Sequence, residues 1–241
     1  METKKHTEHI SKTRKIISLV LKAAVIISAA AGTFLSAYAG RGTFMGGSRV
    51  FMFFTIQSNA LMALICAAGV IFLFRKRAVQ NIWRIIKLVG TVSITLTGVV
   101  FAVLLAPILG NKAWNLQNTL THVVVPVAAV ADYFVLLAGA GLKKRNVLYV
   151  LIPPFLYVIY AAVGYVQGWE FVKGQIYPYF FLNWGGPLGA FGFSNAFPFM
   201  GCVWWIAVLM FFLLLVGWCY LVITDRIAKS IMKKHRDEAA G

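Results

Sequence analysis

The sequence predicts an all-α membrane protein, a bundle of six transmembrane helices with the N- and C-termini both cytoplasmic. Three observations carry that prediction. Of 241 residues, 60% are apolar and only 12% charged, with a mean hydropathy of +0.79, far from the composition of soluble domains. Six apolar runs are each long enough to cross a hydrocarbon core about 30 Å thick as a helix. The 23 basic residues greatly outnumber the 7 acidic ones and are unevenly shared among the segments between the runs, as membrane orientation demands. Continuous runs also argue against a β-barrel, whose spanning strands alternate apolar and polar residues.

The first run, residues 16–39, follows a basic tail (1–15) and ends in Ala37-Tyr38-Ala39. That layout imitates a secretory signal, but a signal's apolar stretch is only about 7–15 residues, so the run reads as a membrane anchor. Further runs occupy 50–74, 88–109, 119–142, 147–167 and 200–223, and a second basic tail occupies 224–241. Most connections are short, so successive helices should be antiparallel neighbours within one domain, 16–223. The exception is 169–199. It carries Tyr177-Pro178-Tyr179-Phe180-Phe181 and Gly185-Gly186-Pro187, an aromatic, turn-rich stretch expected to lie in the interface or fold back over the bundle mouth.

Orientation follows from the basic residues. Lys4, Lys5, Lys12, Arg14 and Lys15, then Arg75, Lys76, Arg77, Arg84 and Lys87, then Lys143, Lys144 and Arg145, then Arg226, Lys229, Lys233, Lys234 and Arg236 all fall on one side. Only Arg41, Arg49, Lys112 and Lys173 fall on the other, and Lys22 lies inside the first span. The rich side is expected to be cytoplasmic. Trp114, Trp169 and Trp184 then fall near the outer interface and Trp83 near the inner one.

Several function classes drop out. Cys66, Cys202 and Cys219 lie in apolar runs with no metal-ligand spacing, so no metal site is expected. Walker, Rossmann and zinc-protease motifs are missing, and no cofactor is required. The basic tails suit anionic lipid better than nucleic acid, so the expected partners are membrane lipids.

Polar side chains at membrane depth are functional candidates. Four groups stand out: Lys22; Thr55 with Gln57, Ser58 and Asn59; Asn115, Asn118, Thr119 and His122; and Asp132. Thr55 and His122 sit near the outer ends of the second and fourth runs, at a shared depth. Asn115, Asn118, Thr119 and His122 recur at spacings of three and four, on one helical face, and Thr55 and Asn59 form an i, i+4 pair. If those faces meet, an imidazole can take the threonine proton as the oxygen attacks a carbonyl carbon, with the Asn59 or Asn118 amide available for the oxyanion. The plainer reading is packing glue: back-bonded threonine, and Asn or His joining helices. Asp132 is ten residues beyond His122, about 15 Å along the axis, too far to orient that imidazole. Its expected role is a structural ion pair with Lys22, with Lys87 also in range.

Three pieces, FFTIQSNALM in the second run, TLTHVVVPVAAVADYF in the fourth and YPYFFLN in the last outer loop, resemble the androgen-induced and androgen-dependent six-span membrane proteins and their compact bacterial relatives. The resemblance implies a multi-pass protein of a bacterial plasma membrane. Characterised animal members are threonine hydrolases of fatty acid esters of hydroxy fatty acids, and their threonine and histidine correspond here to Thr55 and His122. The expectation is therefore a membrane hydrolase of lipid esters. The rival is a non-enzymatic small transporter, lipid binder or assembly subunit whose buried polar residues are structural or line a transport site.

Overall fold

The computed structural model describes residues 11–40, 46–74 and 80–240. Most of the 1–15 tail, including Lys4 and Lys5, and also Arg41 and Arg75, Lys76 and Arg77, lie outside the described residues. Among those described, six helices are long and apolar enough to cross a membrane: α1 (Lys12–Ala39), α2 (Phe54–Phe74), α3 (Asn81–Lys112), α4 (Leu116–Val135), α5 (Lys144–Val166) and α6 (Cys202–Glu238). The chain is a multi-pass helical membrane protein.

α1 shows how such a helix is built. Val20, Ile27 and Phe34, seven residues apart, are each about two-thirds exposed and form a lipid-facing stripe. The opposite face buries Ser18, Lys22, Val25, Ser28, Ala29 and Gly32. Small and polar residues thus point inward and large apolar ones outward, because lipid solvates leucine as well as a protein interior does, whereas small side chains let helices approach closely. α3 is the central helix. It buries consecutive residues from Lys87 through Ile94 almost without a break and touches α2, α4, α5 and α6. α1, α2, α3 and α4 pack as one group, and α5 and α6 lie against α3 beside it.

Helix ends differ from the sequence reading at several places; α3, for one, begins at Asn81 and not at 88. The second span was expected from residue 50, but Gly47–Met52 forms a 3-10 turn and Phe53 is extended, so α2 begins at Phe54. The fourth was expected to reach 142, but α4 stops at Val135: Leu137 and Gly141 take positive φ values of 49° and 76° and the chain turns. Arginine side chains satisfy carbonyls freed there, Arg14 Nε donating to Val135 O (2.7 Å) and Arg84 Nε to Ala138 O (3.2 Å), a usual role for cations at a helix C-terminus. The last span continues as helix well past residue 223, tied at Asp225 to the Gly141 N–H and the Lys144 ammonium.

These contacts gather the start of α1, the end of α4 and the starts of α3 and α5 at one end of the bundle, here the basic end. The 169–199 segment closes the opposite, loop end. Phe171, Phe181 and Leu182 are buried there. Phe53, Tyr157, Tyr160, Tyr179 and Trp205 join them ring to ring, so the segment is packed onto α5, α6 and the head of α2.

Candidate functional site

The site forms where α2 starts. Because Phe53 is extended, Thr55 is only the second residue of its helix. The carbonyl one turn back, Phe51 O, is already taken by Gln57 Nε2 (2.9 Å). Ser36, Thr91, Thr95, Thr121 and Thr224 each bond back to the carbonyl four residues earlier, the common fate of hydroxyls in membrane helices. Thr55 does not: its Oγ1 lies 3.3 Å from His122 Nε2.

His122 is aimed by an irregular stretch of α4. Asn115 caps the helix, accepting from Asn118 N–H (2.9 Å). Leu120–Val124 then forms a π turn in which the Val125 N–H reaches back five residues to Leu120 O. The cause is Pro126, whose ring crowds the carbonyl four residues earlier, that of His122 itself, and which has no N–H to donate. α3 widens in the same way over Phe101–Leu105, just before Pro107. The two wide turns face each other, and the Phe101 ring stacks on the imidazole with centroids 3.8 Å apart and planes 21° apart. Wide turns of this kind are frequent at functional sites.

The partners of the other ring nitrogen fix the tautomer. His122 Nδ1 lies 3.1 Å from Asn118 O, which can only accept, and 3.0 Å from Thr121 Oγ1, whose own proton goes to Gln117 O (2.9 Å). Nδ1 therefore carries the hydrogen, and in the neutral ring Nε2 presents a lone pair to the Thr55 hydroxyl. Nitrogen-15 NMR of histidine-labelled protein should show His122 protonated at Nδ1 and bare at Nε2; the opposite pattern would remove Nε2 as a base toward Thr55.

Gly98 supports this arrangement from α3. A Cβ there would lie 3.0 Å from His122 O and 3.2 Å from Pro126, so any larger side chain pushes the π turn away from α3 and shifts His122 relative to Thr55. Gly98→Leu is expected to leave a helical, membrane-inserted protein in which Thr55 reactivity falls by about tenfold or more, as small misplacements cost up to about 100-fold. Rates of labelling at Thr55 by an electrophilic probe measure it.

The amides named from sequence are nearby but engaged. Asn59 Nδ2 donates to Thr55 O (2.8 Å) and Thr121 O (3.2 Å), clasping α2 to α4. Asn118 Nδ2 donates to Ala113 O (2.9 Å). Asn115 and Thr119 bond within the helix start. Asn59 thus spends both amide hydrogens on carbonyls, whereas Asn118 commits one and keeps a second, and neither residue lines the slot on which Thr55 opens. The sequence reading also passed over Thr121, Phe101 and Tyr179. Successive side chains diverge by about 100° in a regular helix, so Thr121 was off the His122 face until the π turn altered the register. Tyr179 was visible only as part of an aromatic stretch; its hydroxyl is turned toward the Thr55 side chain.

Thr55 and Tyr179 also line one wall of a narrow slot between α3, α5 and α6, whose other walls include Leu96, Val100, Tyr157, Phe181, Leu209 and Leu213. The lining is overwhelmingly apolar.

The predicted ion pair is a larger cluster near the basic end. Asp132 Oδ1 accepts from Lys22 Nζ and Ser18 Oγ, each at 2.6 Å, and Oδ2 accepts from Lys87 Nζ. All three charged side chains are essentially inaccessible. α1, α3 and α4 are joined there.

Together these features define a multi-pass helical membrane protein with a hydroxyl–imidazole pair whose hydroxyl residue, Thr55, lines an apolar slot. Compared with known protein families, characterised proteins and solved structures, the chain has no match.

Proposed function

We propose that the chain hydrolyses a lipid ester, with Thr55 as nucleophile and His122 as general base. The observation that carries this reading is the Thr55 hydroxyl: it lacks the back-bond of its neighbours and instead meets, at 3.3 Å, an imidazole nitrogen whose lone pair is free. The same contact joins α2 to α4, so the reactivity of the hydroxyl is what separates catalysis from packing. The distance is slightly long for proton transfer and within the range of unliganded catalytic pairs, which tighten when substrate binds.

The reaction is a two-step acyl transfer. Thr55 Oγ1 attacks the ester carbonyl carbon as its proton passes to Nε2, and the resulting imidazolium protonates the departing alkoxide. Water, deprotonated by the same nitrogen, then releases the acyl group from the threonine. The Nδ1 bonds hold the ring through both steps, and the Phe101 face beside it favours the transient positive charge. The β-branched threonine side chain is stiff about χ1 and needs little reorganisation to attack. A slot lined by aliphatic and aromatic side chains suits an acyl chain and repels bulk water. The distribution of Lys and Arg supports cytoplasmic termini and a site toward the opposite leaflet, and the resemblance to the androgen-induced and androgen-dependent membrane hydrolases points to the same two residues.

The test uses purified protein in detergent or liposomes, with long-chain esters and a fluorophosphonate probe. Turnover together with a covalent adduct mapped to Thr55 supports the reading. Adduct formation elsewhere that persists in Thr55→Ala, with no ester turnover, overturns it.

A further inference from the structure

We propose that the Tyr179 hydroxyl is the side-chain donor that stabilises the oxyanion formed when Thr55 attacks, acting with the N–H groups at the start of α2; this inference rests on the hydrolase reading. An acyl transfer needs donors aimed at the carbonyl oxygen, because the electron pair of the C=O bond moves onto that oxygen as the Thr55 Oγ1–carbon bond forms. The side-chain donors nearest Thr55 can be taken in turn. The Asn59 amide spends both hydrogens on carbonyls. Asn118 and Gln57 are each anchored by one amide hydrogen, to Ala113 O and Phe51 O, and neither lines the slot with Thr55. Tyr157 gives its proton to Met52 O at 3.0 Å. What remains among the slot's lining is the phenol of Tyr179, whose hydroxyl neighbours the Thr55 side chain and the Tyr157 hydroxyl.

The backbone at the start of α2 is itself a donor set. In the first turn of α2 the N–H groups of Ile56 and Gln57 already bond to Phe53 O. Those of Phe54 and Thr55, the first two of the helix, are left without an intrahelical acceptor and lie near the phenol. A substrate carbonyl oxygen entering there would meet those N–H groups and the phenol O–H together.

The ring is held for that task. Tyr179 is in extended conformation just ahead of the Phe180–Leu182 turn. It stacks on Phe181 (centroids 5.1 Å apart) and meets Phe53 edge-on at 6.2 Å and Tyr157 at 6.1 Å. Burial raises the phenol above the ordinary tyrosine range, so it keeps its proton at neutral pH and remains a donor.

Tyr179→Phe keeps the ring and removes the hydroxyl. The expected result is a fall in kcat of about 10²–10³ with KM little changed, the usual loss for one oxyanion donor. Fluorotyrosines at position 179 supply a second readout. They should restore turnover, with kcat following phenol acidity while the phenol stays protonated, a response that ring packing alone would not give. If Tyr179→Phe does not fold, the fluorotyrosine series alone decides. Turnover within about threefold of the parent in Tyr179→Phe, or rates insensitive to fluorination, overturns the role of Tyr179 while Thr55→Ala stays inactive. Should Thr55→Ala keep its activity, the hydrolase reading falls first and this inference with it.

Discussion

Thr55→Ala is expected to abolish ester cleavage and probe labelling together, whereas His122→Ala should lower kcat by about 10²–10⁴, the range for loss of a general base. The asymmetry follows from the chemistry. Without the hydroxyl no acyl intermediate can form. Without the imidazole the hydroxyl is still present, still beside the α2 N-terminus, and merely lacks an acceptor for its proton. Thr55→Ser should keep much of the activity, since the oxygen survives and only the constraint of the branched side chain is lost. Combining Thr55→Ala with His122→Ala should be no worse than Thr55→Ala alone, because residues acting as one unit are strongly non-additive. Single-turnover kinetics on long-chain ester, normalised to folded protein by size exclusion, check all four. A Thr55→Ala protein that cleaves ester at the parent rate would refute the scheme.

The membrane architecture was legible because the bilayer is an unforgiving solvent: a run such as 200–223 has no other way to satisfy its backbone. Helix ends were less so. Val50 to Phe53 are as apolar as the helix they precede, so hydropathy could not reveal the 3-10 turn that places Thr55 at the head of α2. At the other end of α4, Gly139 and Gly141 were visible, but not the arginines from α1 and α3 that accept an early stop. Depth arithmetic placed Thr55 and His122 together because hydropathy sets the height of a residue in the bilayer. Direction was harder. Pro126 announces an irregular turn, but not the direction in which that turn aims His122, and the approach of Tyr179 to Thr55 spans more than a hundred residues of chain.

The buried cluster around Asp132 yields the largest expected effect on stability. One carboxylate meets two ammonium groups there, with Cys66 Sγ 3.9 Å from Lys87 Nζ. With both lysines protonated the three residues carry a formal charge of +1, and the carboxylate is what makes their burial tolerable. Asp132→Asn leaves +2 uncompensated and should destabilise the folded protein by about 3–5 kcal/mol, the cost of breaking a buried pair by removing one partner. Lys22→Met moves the charge the other way, to a neutral Asp132–Lys87 pair, and should cost distinctly less; it removes two hydrogen bonds where Asp132→Asn disturbs three. Replacing all three by Asn, Met and Met should recover much of the loss, since an apolar core can replace a buried ion network at little net cost. Reversible unfolding in mixed detergent micelles measures the order. Lys22→Met proving worse than Asp132→Asn would rule out charge balance as what holds α1, α3 and α4 together. Because Asp132 lies ten residues along α4 from His122, about 15 Å, ester cleavage per folded molecule should be unchanged in Asp132→Asn. A large fall there instead would tie the cluster to the reaction and favour a proton path between the two ends of α4.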